Sequence, residues 1–177
     1  CSGILSGEEF PAVTAKIINE NGSPVMTIDG KKTPPLIFFG NTRPSSYTET
    51  VGPEIKMARD AGIHIYSTSV RVKWPDKTHL CSFDAFDEVL DYIISIDPEA
   101  LIIPRIWCAP VKGIWNRQNP DEMTKFPSGE TGIPSMASDR MFKDFDEVLT
   151  ALIRHVRTSR FAKHVIGYHP AYGNTGE

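Results

Sequence analysis

The sequence predicts an α/β protein: the first half of a (β/α)8 barrel, with four parallel strands and three helices, preceded by a small antiparallel β meander. Three observations lead there. Apolar runs at Leu36–Gly40, Ile63–Val70, Ala100–Trp107 and from Val165 onward alternate with amphipathic helical patterns. That alternation is the order of a parallel sheet joined by right-handed crossovers. An eight-unit barrel of about 250 residues spends about 31 residues on each βα unit, and residues 36–177 keep a similar pace, with the excess in the loop after the third strand. Finally, Gly40-Asn41-Thr42-Arg43-Pro44 follows the first strand. A doubly wound sheet, the alternative, normally carries a glycine-rich phosphate turn there.

Residues 1–13 read as an N-terminal linker or arm, and residues 14–177 as the meander plus the half-barrel. Ala15–Glu20 and Val25–Ile28 are short apolar strands around Asn21-Gly22, a hairpin signal because both positions tolerate positive φ. Asp29-Gly30 is a second turn. Leu36–Gly40 is continuous and apolar, as in a strand buried on both faces. Pro53 suits the first turn of a helix with Ile55, Ala58 and Ala61 inward and Gly62 at its end. Ile63–Val70, rich in β-branched residues, is the second strand.

Ser82 is the expected N-cap of the next helix. Phe83, Phe86, Val89, Leu90, Ile93 and Ile94 recur there at helical spacing, and Asp97-Pro98 stops it. Ala100–Trp107 is the third strand. A long loop to about residue 137 follows, and loops of that length usually carry function or partial structure. Ser138-Asp139 opens the third helix, whose expected core face is Phe142, Phe145, Val148, Leu149, Leu152, Ile153 and Val156. Arg154, Arg157 and Arg160 gather at its end, where the dipole favours cations. Val165 begins the fourth strand.

Bulk properties narrow the function. The chain has 177 residues, 40% hydrophobic and 23% charged, as a globular domain does. A net charge of −3 gives no reason to expect nucleic acid. No apolar run approaches the ~20 residues of a membrane helix. The three cysteines lack metal spacing, and His155, His164 and His169 form no ligand pattern, so neither metal nor cofactor is expected. Cys81 and Cys108 either pair in an oxidising compartment or remain buried thiols. Cys1, followed by Ser2-Gly3, is similar to the acylated first residue of mature bacterial lipoproteins. That reading implies a lipid anchor and a cell-envelope or periplasmic location; a fragment boundary explains the same residue.

In a parallel barrel, active sites sit at the C-terminal ends of the strands. That face receives Asn41 and Arg43, then Ser69, Arg71 and Trp74, then Trp107 and Trp115, then His169, Tyr172, Asn174 and Glu177. Strand parity puts Ile103, Arg105 and Trp107 on one face and Ile102 and Ile106 on the other. The apolar pair suits packing on helices; Arg105 suits the interior, where a charge needs a partner. Three tryptophans among hydrogen-bonding groups suit a sugar, whose C–H faces stack and whose hydroxyls need donors and acceptors. Covering the ends of the core is the plainer reading of one or two of them.

Several segments carry a family resemblance: N-G-S-P-V-M-T-I-D-G-K-K-T-P-P-L (21–36), A-R-D-A-G-I-H-I (58–65), F-D-A-F-D-E-V-L-D-Y-I (83–93), W-C-A-P-V-K-G-I-W (107–115) and V-I-G-Y-H-P-A-Y-G-N-T-G-E (165–177). From about Lys16 the chain resembles the N-terminal half of a clan A glycoside hydrolase, of the β-galactosidase-like kind. The resemblance implies retaining hydrolysis of an O-glycosyl bond in a carbohydrate, with Glu177 as general acid/base. From their place at the strand-end face, Asn174, His169, Tyr172, Trp107, Trp115, Arg105 and Trp74 are expected to bind the substrate. The nucleophile would come from strand seven, in the remainder of the barrel. Two positions depart from the clan's pattern: Gly176 stands where asparagine usually precedes the acid/base, and Arg71 lies past strand two rather than within it. A half-barrel alone would leave two strand edges unpaired, so either a longer protein or an association of halves is expected. The alternative function is a non-catalytic carbohydrate-binding lipoprotein of the cell envelope.

Overall fold

A computed structural model describes residues 10–40, 47–74, 81–107, 110 and 114–172. It begins with a three-stranded antiparallel meander: β1 (Ala15–Glu20), β2 (Ser23–Ile28) and β3 (Lys31–Lys32). Both turns follow from residue type. Asn21 and Gly22 have φ of 52° and 86°, and Asp29 and Gly30 have 47° and 77°. Two consecutive left-handed residues make the tight turn whose twist matches the flanking strands. The arm before the meander is tied down over its described part, because Phe10 N–H donates to Arg157 O (2.9 Å) and Val13 N–H to Ala162 O (3.2 Å).

The body is mixed α/β. Four strands form a parallel sheet in chain order: β4 (Ile37–Gly40), β5 (Ile65–Val70), β6 (Leu101–Trp107) and β9 (His169–Ala171). The crossover helices are α1 (Gly52–Asp60), α2 (Asp84–Ile96) and α4 (Asp139–Arg157). With sequential strands, right-handed crossovers put all three helices on one face. The core agrees: Tyr66, Val70, Ile102 and Ile106 from one sheet face join Ile55 of α1, Phe86, Leu90 and Ile93 of α2, and Val148, Leu152 and Val156 of α4. Ser138 caps α4 by accepting Met141 N–H at 2.9 Å. At the opposite end of the sheet, buried Asp97 accepts from Tyr66 Oη (2.7 Å) and Glu99 N–H (3.1 Å), and pairs with His64 Nδ1 (2.8 Å).

Several expectations are corrected. The first strand is not buried on both faces: Leu36, Ile37 and Phe39 are 61%, 42% and 49% exposed. A continuous apolar run suits a strand covered on both faces, but β4 is an edge strand with helices on one side only. The cap position of α2 is Phe83 rather than Ser82; the Ser82 hydroxyl, one residue earlier, donates to the Asp84 carboxylate at 2.7 Å and accepts the Asp84 N–H at 3.4 Å. On α4, Phe142 points outward and Met141 takes the buried position. Ala61 lies exposed beyond the end of α1. The loop after β6 holds a short helix α3 (Ile114–Gln118) and a hairpin, β7 (Met123–Lys125) with β8 (Thr131–Pro134).

The fourth strand is interrupted. Val165 bridges Ile102, and pairing resumes only at His169 opposite Arg105. Four steps along one chain face three along the other, so one residue is bulged out near Gly167. The bulge reverses the side-chain alternation. Val165 packs in the helix-side core, whereas His169 joins the opposite face beside Arg105.

Candidate functional site

The helix-free face of the sheet collects the predicted polar residues. In register across the strands lie Phe39, Ser67 and Ile103; one step toward the C-terminal ends come Ser69, Arg105 and His169, then Trp107 beside Ala171. Strand alternation puts Phe39 and Arg105 on this face together, because Ile103 and Arg105 are two residues apart.

Arg105 is the centre of the arrangement. It is 3% exposed, its Nη2 donates to Gly40 O at 2.7 Å, and its Cζ lies 3.8 Å from the centre of the Phe39 ring. A desolvated guanidinium over an aromatic face gains ~2 kcal/mol, which offsets part of the cost of burying its charge. The fork also joins β6 to the end of β4, two strands away in the sheet. Phe39 is thus a site residue that sequence reasoning placed in the core. The signal was its parity with Ile37, which put both on the face opposite Phe38.

His169 and Trp107 are half-buried and flank Arg105 along the strand ends. Tyr172, just beyond β9, donates its hydroxyl to Pro134 O at the end of β8. This bond draws the hairpin β7–β8 to the β9 exit. The hairpin itself had a legible signal, Pro127-Ser128-Gly129-Glu130, with Gly129 at φ 85° between two short extended runs.

Trp74 and Trp115 are brought together, but in the core. They are 8% and 6% exposed, pack edge to face at 6.0 Å, and Trp74 stacks on Phe145 of α4. Trp115 Nε1 donates to Asp144 Oδ2 at 2.8 Å, and Asp144 also pairs with Arg140. Neither ring offers a free face to a sugar, which corrects the expectation of three stacking platforms. The physical reason is α4, which stacks Phe145 on Trp74 and accepts the Trp115 N–H through Asp144. Trp107 is the tryptophan left on the sheet's polar face.

Tyr168, beside His169 in the chain, has its phenol pushed up to about 12 by burial, with the charge of Arg157 acting weakly the other way. It therefore stays a neutral hydroxyl at ordinary pH. Cys81 is disulfide-bonded. Cys1, Asn41, Arg43, Cys108, Asn174 and Glu177 lie outside the described residues. Among the described residues, no three His, Cys, Asp or Glu side chains converge as a metal site would need, and no helix is long and apolar enough to cross a membrane.

No protein-family model matches the chain. No curated protein matches it either. Among solved structures, it has a distant likeness to a polyextremophilic β-galactosidase from the Antarctic haloarchaeon Halorubrum lacusprofundi, with a TM-score of 0.48 and 14% identity. The likeness covers 75% of this chain and 20% of that protein.

Proposed function

We propose that residues 14–177 are the N-terminal half of a (β/α)8 glycoside hydrolase domain, acting on a carbohydrate with retention of configuration. The observation that carries the reading is the one-sided sheet. Its strands run in chain order with all three helices on one face, and its other face gathers Arg105, Trp107 and His169 at the C-terminal end. A doubly wound sheet distributes helices to both faces; a barrel keeps them outside and uses the other face as its interior. Exposed Ile37 and Phe39 on the edge strand support the same reading, because a continued barrel would cover them.

In this reading Glu177 protonates the leaving oxygen and later takes a proton from water, while a carboxylate from strand seven of the remaining barrel, about 5–5.5 Å from that of Glu177, attacks the anomeric carbon. Arg105 holds the interior electrostatically, and Trp107, His169 and Asn174 bind the sugar. The buried Trp74–Trp115 pair packs on α4 and has a structural role. The Cys81 disulfide supports an oxidising compartment, outside the cytoplasm.

The test is Glu177→Gln in the intact protein, assayed with 4-nitrophenyl and methyl glycosides. Loss of the acid lowers the rate by about 10²–10⁴. The methyl glycoside suffers more, because its leaving group needs the proton. Equal losses on both, or none, would remove Glu177 from the role.

A further inference from the structure

We propose that Tyr172 is a positioning residue: its hydroxyl clamps the exit of β9 to the hairpin β7–β8 and so fixes the end of the strand that carries His169. The base of the hairpin is built into the body. Met123 is buried in the main core, paired with Pro134, and Ser135 N–H donates to Glu122 O at 2.7 Å. The insert that carries the hairpin is anchored again by the Trp115–Asp144 bond to α4. Tyr172 closes the third side, with its ring packed against the core and its hydroxyl donating to Pro134 O.

The position of this bond matters. Ala171 pairs with Trp107, so Tyr172 is the first residue past the last register pair of the sheet. Trp107 pairs with the residue just before it and His169 lies on the same three-residue strand, so the clamp fixes the end of β9 beside both. Its donor proton is engaged with a backbone carbonyl, so the hydroxyl acts on the site through the hairpin rather than by donating to a substrate. A misplacement of about 1 Å in a reacting group can cost about 100-fold in rate, which gives one hydrogen bond at this point leverage over chemistry.

The catalytic part of this inference rests on the glycosidase reading; the clamp itself does not. The experiment is Tyr172→Phe in the intact protein, which keeps the ring and removes only the hydroxyl. Amide exchange over residues 123–134 is followed by mass spectrometry, together with kcat and KM on 4-nitrophenyl glycosides. Hairpin amides should exchange at least about tenfold faster, and kcat should fall about tenfold with KM little changed, as expected for an interaction realised in the transition state. Unchanged exchange overturns the clamp. Faster exchange with unchanged kcat overturns the positioning role. If the wild-type protein hydrolyses no glycoside, the glycosidase reading fails, and the exchange difference alone decides the clamp.

Discussion

Replacing Tyr66 by phenylalanine tests the buried carboxylate at the base of the sheet. Tyr66 is 1% exposed, and its hydroxyl meets Asp97 Oδ2 at 2.7 Å and Ile63 O at 2.9 Å. Phenylalanine keeps the ring and leaves Asp97 Oδ2 with His64 alone. A hydrogen bond to a charged group is worth about 1.5–3 kcal/mol, so Y66F should lose about that at pH 7. For a domain of this size, each 1 kcal/mol lowers Tm by about 2–4 °C. The pH dependence sharpens the test. Burial, then the bond and charge of Asp97, hold the Tyr66 phenol well above its ordinary 10.0. The unfolded chain therefore releases this proton near pH 10 while the folded chain keeps it, and the wild type loses stability as pH rises past that point. At pH 11 the loss is about 1.4 kcal/mol from this group. Y66F has no such proton, so the gap between the proteins should shrink by about that amount between pH 7 and pH 11. Urea denaturation at both pH values measures it. A gap under about 0.5 kcal/mol at pH 7, or one that does not narrow, would refute the argument.

Gly52→Ala places a Cβ 2.0 Å from Tyr92 Oη, which donates to Thr48 O. Overpacking costs about 1–3 kcal/mol, and the strained bond adds about 1 while the better helix former returns about 1. The net loss, about 1–3 kcal/mol by denaturation, should vanish in a Tyr92→Leu background; a full-size loss there would clear Tyr92 of the clash. Ser138→Ala removes the α4 cap and should lower stability by about 1 kcal/mol, with Ser138→Asp close to wild type. Equal stability of all three proteins would show that the cap is dispensable.

Local features were readable because they depend on neighbours in the chain. Asn21-Gly22 and Asp29-Gly30 specify their turns by tolerating positive φ. Ser138 caps α4 because a hydroxyl three residues before Met141 can reach its N–H. The 2.0 and 3.6 periodicities mark strands and helices, and parity alone places Arg105 and Ile106 on opposite faces of β6.

Coverage was not readable. The run Leu36-Ile37-Phe38-Phe39 looks the same whether a strand is central or at an edge, and only the sheet order left Leu36, Ile37 and Phe39 exposed. The three tryptophans share one sequence signature, yet α4 captured two of them through Phe145 and Asp144 and left Trp107 on the polar face. A one-residue bulge, invisible to periodicity, turned His169 toward Arg105. The sequence alone therefore determined the main strands and helices, their order and the residue types available for chemistry, since these follow from backbone preference and local hydrogen bonding; the helix and hairpin in the loop after β6 took shape only in the fold. Which of those residues meet was decided by tertiary structure, because burial and register are set by contacts between segments far apart in the chain.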